Sequence, residues 1–324
     1  MKKFFPIFLV MALTFLMTSS KNATTIFVIG DSTAAEKSNF KDSPERGWGM
    51  VLQGCFDDDI IVDNHAVNGR SSKSFINEGR WQKVLDRIKP GDYVLIQFGH
   101  NDEKPAESRH TDPGTTFDAN LARFVNETRE KGGHPVLLNS VVRRCYYSEL
   151  LKNDDDEKLR NKTYDGEEKI NSDTLIDTHG AYVIAPRLVA QRMNVPFIDA
   201  TKITHDIETQ LGVIGSRKLH MWYLPGENPQ VPKGKQDNTH YNVYGARIVA
   251  NAIADALAKE VPELKKHVRH YDYVVSAEGR GNYMTLQEAV DAVPADGKKA
   301  VIRILDGKWQ KPLHTKGKKI KYVK

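Results

Sequence analysis

Cysteine is scarce in this sequence. Two in 324 residues, Cys55 and Cys145, are too few for a cysteine-based zinc site or a disulfide framework. Whether they pair with each other is left open by the sequence. No H-E-x-x-H or other paired-histidine spacing occurs, so the usual signature of a zinc hydrolase is missing and no metal or cofactor is expected. Neither sign of charge dominates: 47 Lys and Arg against 42 Asp and Glu leave +5. No basic stripe with interleaved aromatics appears, which argues against a nucleic-acid partner. Long apolar runs are missing after the first residues. The one at the start, FFPIFLVMALTFLM, comes after Lys2 and Lys3, contains Pro6 and gives way to TSSKNA. A basic start, a short apolar stretch and small polar residues read as a secretory signal peptide over residues 1–22. The stretch is short for a membrane span. The expectation is an exported protein, periplasmic or secreted, with no span in the mature chain.

Beyond residue 22 the sequence alternates between two patterns. TIFVIG, IIVDNHAV, DYVLIQFG, PVLLNSVV and PFIDA read as strands, several of them continuous apolar runs suited to parallel strands covered on both faces. RWQKVLDRIK, TTFDANLARFVNETREK, AYVIAPRLVAQRM and YNVYGARIVANAIADALAKEV carry apolar residues at helical spacing. Strands alternating with helices predict an α/β domain over residues 23–263, a three-layer α/β/α sandwich around a parallel sheet. Residues 143–178 break the rhythm as a polar insertion; its acidic run, Asp154 to Glu157, reads as solvated surface. Past VPELKKHVRHYD the composition shifts, and residues 270–324 read as strand, glycine-rich turn, short helix, turn and strand. So small a piece holds little core of its own.

Polar clusters stand at the expected strand ends, where ligands of open α/β sheets bind. Gly30-Asp31-Ser32-Thr33 comes after the first strand, Asn68-Gly69-Arg70 after the second, and Gly99-His100-Asn101-Asp102 after the third; Asp237-Asn238-Thr239-His240 precedes the last helix. A serine at such a turn is either a capping residue or a nucleophile. The other clusters supply what a nucleophile needs. His240 is a base for Ser32, and Asp237 fixes its tautomer if the segment turns back on itself. The backbone N–H groups of Ser32 and Gly69 and the Asn101 amide are candidate oxyanion donors. The G-x-S-x-G elbow is not present, because Ala34 stands at its second glycine.

GDST, NGR, GHND and DNTH, in that order, resemble the SGNH hydrolases, or GDSL-type esterases. The resemblance spans nearly all of residues 24–260 and implies a flavodoxin-like parallel α/β sandwich. It implies Ser32, Asp237 and His240 as catalytic residues and Ser32, Gly69 and Asn101 as the oxyanion hole. Within that family, GDST with GHND and a late D-x-x-H looks most like the rhamnogalacturonan acetylesterases, which implies an acetylated pectic polysaccharide as partner and no metal. Arg70, His100, Trp222 and Tyr241 are substrate-binding candidates on this reading. Tyr223, Tyr244, Arg143 and Arg144 stand beside them, with core packing and surface solvation as the competing roles. Residues 270–324 resemble the start of a pectin methylesterase, a β-helix fold, and carry no residue to which a catalytic role transfers. An esterase for acetylated xylan or for lipid or aryl esters, and a non-catalytic polysaccharide-binding protein, are the alternatives.

Overall fold

A computed structural model describes residues 23–148, 161–307, 315 and 317–324. Residues 1–22, read from the sequence as a signal peptide, and the run Asp154–Glu157 lie outside the described residues.

Five strands build the central sheet: β1 (Thr24–Gly30), β2 (Ile60–Asn64), β3 (Tyr93–Gln97), β4 (His134–Leu138) and β5 (Phe197–Ile198). Their order is β2-β1-β3-β4-β5, and every pairing is parallel. The helices are α1 (Ser72–Asn77), α2 (Arg80–Leu85), α3 (Thr116–Glu130), α4 (Ala181–Met193), α5 (Ala200–Gly215) and α6 (Val243–Glu260).

The apolar runs explain the layers. Successive strand side chains point to opposite faces. Ile26 and Val28 of β1 join Leu95, Val136 and Leu138 in a core closed by Ala246, Val249, Ile253 and Leu257 of α6. Phe27 and Ile29 join Val94, Ile96 and Leu137 in a second core beneath Phe75, Trp81, Phe124 and Val189. Each fully buried aliphatic or aromatic side chain contributes about 1.5–3 kcal/mol. With both faces covered, the strands need no polar alternation, and the predicted α/β/α sandwich is what forms.

Helices α1 and α5 and the two strands of a hairpin escape the sequence reading. Helix α5 comes directly after PFIDA, its first turn capped by the Asp199 carboxylate, which accepts from the Lys202 N–H. Outside the sheet, β6 (His220–Tyr223) and β7 (Lys235–Tyr241) pair antiparallel.

The C-terminal segment holds β8 (Tyr273–Val275), α7 (Leu286–Ala292), β9 (Lys299–Ile304) and β10 (Lys319–Val323), a parallel sheet in the order β10-β9-β8. It buries more than its size suggests: Val275, Leu286, Ala289, Val290, Ile302 and Ile304 pack together as α7 covers the strands. It also docks on the larger domain. Arg46 Nε donates to Gly279 O at 2.9 Å, and Arg303 pairs with Asp58. Cys55 and Cys145 are both free thiols, buried apart from any disulfide. Among the described residues no helix is long and apolar enough to cross a membrane.

Candidate active site

The order 2-1-3-4-5 puts a topological switch point between β1 and β3, where crossovers leave on opposite sides and a crevice opens at the carboxyl ends. Strand β1 ends there at Gly30, where a Cβ would lie 2.7 Å from the Gln97 carbonyl of β3. The chain then turns sharply, with the Ala34 N–H donating to Asp31 O at 3.2 Å. Ser32 sits inside this turn and begins no helix. The reason is local: the Asp31 carboxylate accepts from the Thr33 N–H at 2.9 Å and the Thr33 hydroxyl at 2.8 Å, and such side-chain bonds compete with helical ones. The Gln97 side chain steadies Asp31 from β3, donating from Nε2 at 3.3 Å while its Oε1 accepts from Trp48 Nε1 at 2.7 Å.

The hairpin brings in the other partners. In its register Met221 faces Asp237 while the adjacent His220 faces Tyr241, so Asn238, Thr239 and His240 bulge out of β7. The bulge is the turning-back that D-x-x-H requires. Asp237 Oδ1 accepts from the Thr239 and His240 N–H groups, both at 3.0 Å, which frees Oδ2 to meet His240 Nδ1 at 2.8 Å. His240 Nε2 then lies 3.0 Å from Ser32 Oγ. All three residues are buried. Burial works to raise the Asp237 carboxyl, but the His240 ring and its hydrogen bonds outweigh it and hold the group below its ordinary value. Asp237 is therefore a carboxylate at neutral pH, suited to a neighbouring imidazolium.

Gly69 adopts φ of 74°, left-handed backbone that suits glycine in the loop after β2. Asn101 is buried beside it: its Nδ2 donates to Arg70 O at 3.2 Å and its Oδ1 accepts from Arg109 Nη1 at 3.3 Å. Thus Asn101 and the Gly69-Arg70 turn are brought together. A groove of about 670 Å³ runs along the Gly69-Arg70 turn, lined also by Asn68, Glu78 and Arg109. Arg70 keeps about a third of its side chain exposed there, paired with Glu78 at 3.1 Å.

Other sequence candidates are placed elsewhere. Tyr241 is fully buried in the core against His220, so it presents no face to a sugar ring. Trp222 is buried as well, and the Arg217 guanidinium lies 3.9 Å over its ring, where a sugar would have to stack. His100 is buried edge-on to His179, with ring centroids 4.4 Å apart. Arg144 is wholly buried: it pairs with Glu168 of the insertion and donates to Asn238 Oδ1 at 2.8 Å, so it braces the DNTH bulge and meets no uronate. Arg143 is committed to Glu103 at 2.7 Å. Tyr244 is about half exposed. Trp222 and Tyr241 fail as sugar contacts for one reason: spacing along a chain does not say which face of a hairpin turns inward.

Several supporting residues lie outside the sequence expectations. Lys37 is buried, and its ammonium reaches Ser32 O at 2.7 Å, Asn68 Oδ1 at 2.8 Å and Glu45 Oε1 at 2.9 Å. Asp102 is buried at the centre of four donors: the Ser72 N–H and hydroxyl at 3.0 and 2.5 Å, the Gly99 N–H at 3.1 Å and the Thr111 hydroxyl at 2.9 Å. Burial nonetheless pushes its carboxyl up to about 6. The GHND block holds a signal for Asp102, since an acid there comes directly after the oxyanion candidate. A lysine five residues past Ser32 carries none. Among the described residues, Asp57, Asp59 and His267 bring potential ligand atoms within 4.8 Å of one another, and Arg269 at 2.7 Å already supplies Asp57 with a cation.

A parallel sheet with a serine at its first strand end, and a late Asp–His pair folded back onto it, define a class of hydrolase. Residues 28–248 match the GDSL-like Lipase/Acylhydrolase family, and the chain belongs to it. Rhamnogalacturonan acetylesterase RhgT of Bacillus subtilis (strain 168) is 36% identical over 260 residues, covering 80% of this chain and 98% of that protein. A rhamnogalacturonan acetylesterase of Emericella nidulans is 30% identical over 238 residues, covering 72% of this chain and 85% of that one. Among solved structures, that of Bacillus subtilis YxiM superposes with a TM-score of 0.53 at 24% identity, over 75% of this chain and 56% of that chain, and shares the fold. The family match ends before the C-terminal segment.

Proposed function

We propose that the protein is an exported serine esterase that removes acetyl groups from a pectic polysaccharide of the rhamnogalacturonan type. The observation that carries the chemistry is the unbroken hydrogen-bond chain Ser32 Oγ–His240–Asp237. The similarity to two rhamnogalacturonan acetylesterases supports the substrate class. The basic start and apolar run of residues 1–22 support export.

In the reaction, Ser32 Oγ attacks the acetyl carbonyl as His240 Nε2 takes its proton. Asp237 Oδ2 holds the Nδ1–H tautomer and faces the imidazolium that forms. The negative charge that develops on the carbonyl oxygen is met by the N–H groups of Ser32 and Gly69 and by Asn101 Nδ2, which turns from the Arg70 carbonyl to do so. His240 then protonates the leaving sugar oxygen, and water attacks the acetyl-enzyme with His240 again as base. Ser32→Ala is expected to lower kcat on acetylated rhamnogalacturonan by on the order of 10⁴-fold or more and to abolish labelling by a fluorophosphonate. Wild-type turnover in that variant would end the nucleophile assignment. Faster release of acetate from acetylated xylan than from rhamnogalacturonan would end the substrate assignment.

A further inference from the structure

Lys37 stands at a junction that the proposed reaction does not use. An ammonium carries three donors, and here they meet three oxygens on three different loops. Ser32 O belongs to the turn that carries the nucleophile. Asn68 Oδ1 belongs to the residue before Gly69. Glu45 Oε1 belongs to a segment lying against the base: Glu45 bridges to Asn242, and the Arg46 N–H donates to Tyr241 O at 3.0 Å. The side chain of Lys37 is 2% exposed and that of Glu45 10%. A lysine buried to this degree is uncommon unless it is paired and hydrogen-bonded.

We infer that Lys37 is a positioning residue that fixes the Ser32 turn, the Asn68-Gly69 loop and the His240 segment relative to one another. The inference rests on Ser32 and His240 being nucleophile and base. Acyl transfer requires the hydroxyl, the oxyanion donors and the base to share one geometry to within a fraction of an ångström, and a displacement of about 1 Å is enough to lower turnover about 100-fold. The sheet fixes where β1 and β2 end; beyond those ends the loops leave the regular ladder and are tied by single backbone bonds, such as the Val67 N–H to Gly30 O at 3.0 Å and the Trp48 N–H to Thr33 O at 2.8 Å. Lys37 supplies a shared anchor. Its positive charge also offsets that of Glu45, whose carboxylate acts on Asp237. Because Lys37 touches backbone and side chains and not the reacting atoms, its loss affects the chemical step more than ground-state binding.

Two variants test this from opposite ends. Asn68→Ala cuts one arm and leaves the buried Lys37–Glu45 pair in place. Lys37→Met combined with Glu45→Gln removes the anchor without stranding a carboxylate. For each, kcat and KM on p-nitrophenyl acetate, the rate of fluorophosphonate labelling and the Tm are measured beside wild type and Ser32→Ala. The expected result is a kcat lower by about 10- to 100-fold, KM within about twofold of wild type, and labelling slowed in step with kcat. Lys37→Arg, which keeps the charge but not the compact three-donor head, should not restore kcat. Wild-type kcat in Asn68→Ala or in the double variant overturns the inference. So does a kcat deficit that disappears when rates are expressed per labelled serine, since that reports only unfolded protein. Activity retained by Ser32→Ala would instead overturn the reading of the site itself. A double variant that fails to fold leaves Asn68→Ala to decide.

Discussion

Asn101 shows how much a single buried amide has to do. Its Nδ2 donates to Arg70 O and its Oδ1 accepts from Arg109, so the amide is tied on both sides at rest and, on the proposed chemistry, exchanges the Arg70 carbonyl for the oxyanion. Asn101→Ala is expected to reduce kcat by about 10²- to 10³-fold with little change in KM, read from steady-state rates on an acetylated substrate. Asp102, next in sequence, acts on stability. Its folded-state pKa, about 6, lies above the ordinary 3.8, so the native protein holds a proton that the unfolded chain has released. Its contribution is most favourable below about pH 4 and declines as pH rises through 6, by on the order of 2–3 kcal/mol in all. Asp102→Asn removes that titration. Urea unfolding at a series of pH values should show the variant gaining on wild type between pH 4 and 7; a constant difference would refute the shift. Asp237 runs the other way. Its carboxyl is depressed, so its contribution is present above the ordinary carboxylate range and is lost only on stronger acidification.

At the scale of elements, the hairpin of β6 and β7 carries Asp237 and His240 on a bulge that is braced from the insertion. Glu168 pairs with the wholly buried Arg144 and with Arg217, and accepts from Asn238 Nδ2 at 2.9 Å, one residue from Asp237. Burial tends to raise the Glu168 carboxyl, yet the Arg144 contact prevails and the group lies below its ordinary value. Glu168→Ala strands the guanidinium of Arg144. It should cost about 3–5 kcal/mol in urea unfolding, whereas an effect under about 1 kcal/mol would make the pair peripheral. The same elements show what the sequence can and cannot carry. The strands TTIFVIG and YVLIQ and the helix AYVIAPRLVAQRM are legible, because buried parallel strands and amphipathic helices write their period into the apolar residues. GDST, NGR, GHND and DNTH are legible because polar residues at strand ends break that period. The hairpin is not: KQDNTHY is polar throughout, and its pairing with HMWY is decided by a bulge that no local pattern encodes. Trp222 and Tyr241 are misread for the same reason, and Lys37 is invisible because its partners lie in loops brought near only by the fold.

Across the whole molecule, the C-terminal segment and the larger domain meet at Gly279. Its φ of 75° favours glycine, and a Cβ there would lie 2.6 Å from the Phe40 ring. Its carbonyl also accepts from Arg46, the neighbour of Glu45. Gly279→Val is expected to loosen the docking and speed proteolytic release of residues 270–324, while the cores around α3 and α6, which contain none of that segment, persist. Unchanged cleavage would show that the Arg303–Asp58 pair suffices without that contact.

The Ser32–His240 hydrogen bond spans 208 positions of chain. Ser32 turns off the first strand to be made, and His240 belongs to the last hairpin before α6. Contacts of such long range form only after the intervening chain has collapsed and closed its loops. A growing polypeptide of this sequence therefore carries Ser32 without its His240 partner for most of its synthesis. On the proposed chemistry, acyl-transfer competence arrives with tertiary closure, and specific activity becomes a direct measure of how many molecules have completed folding.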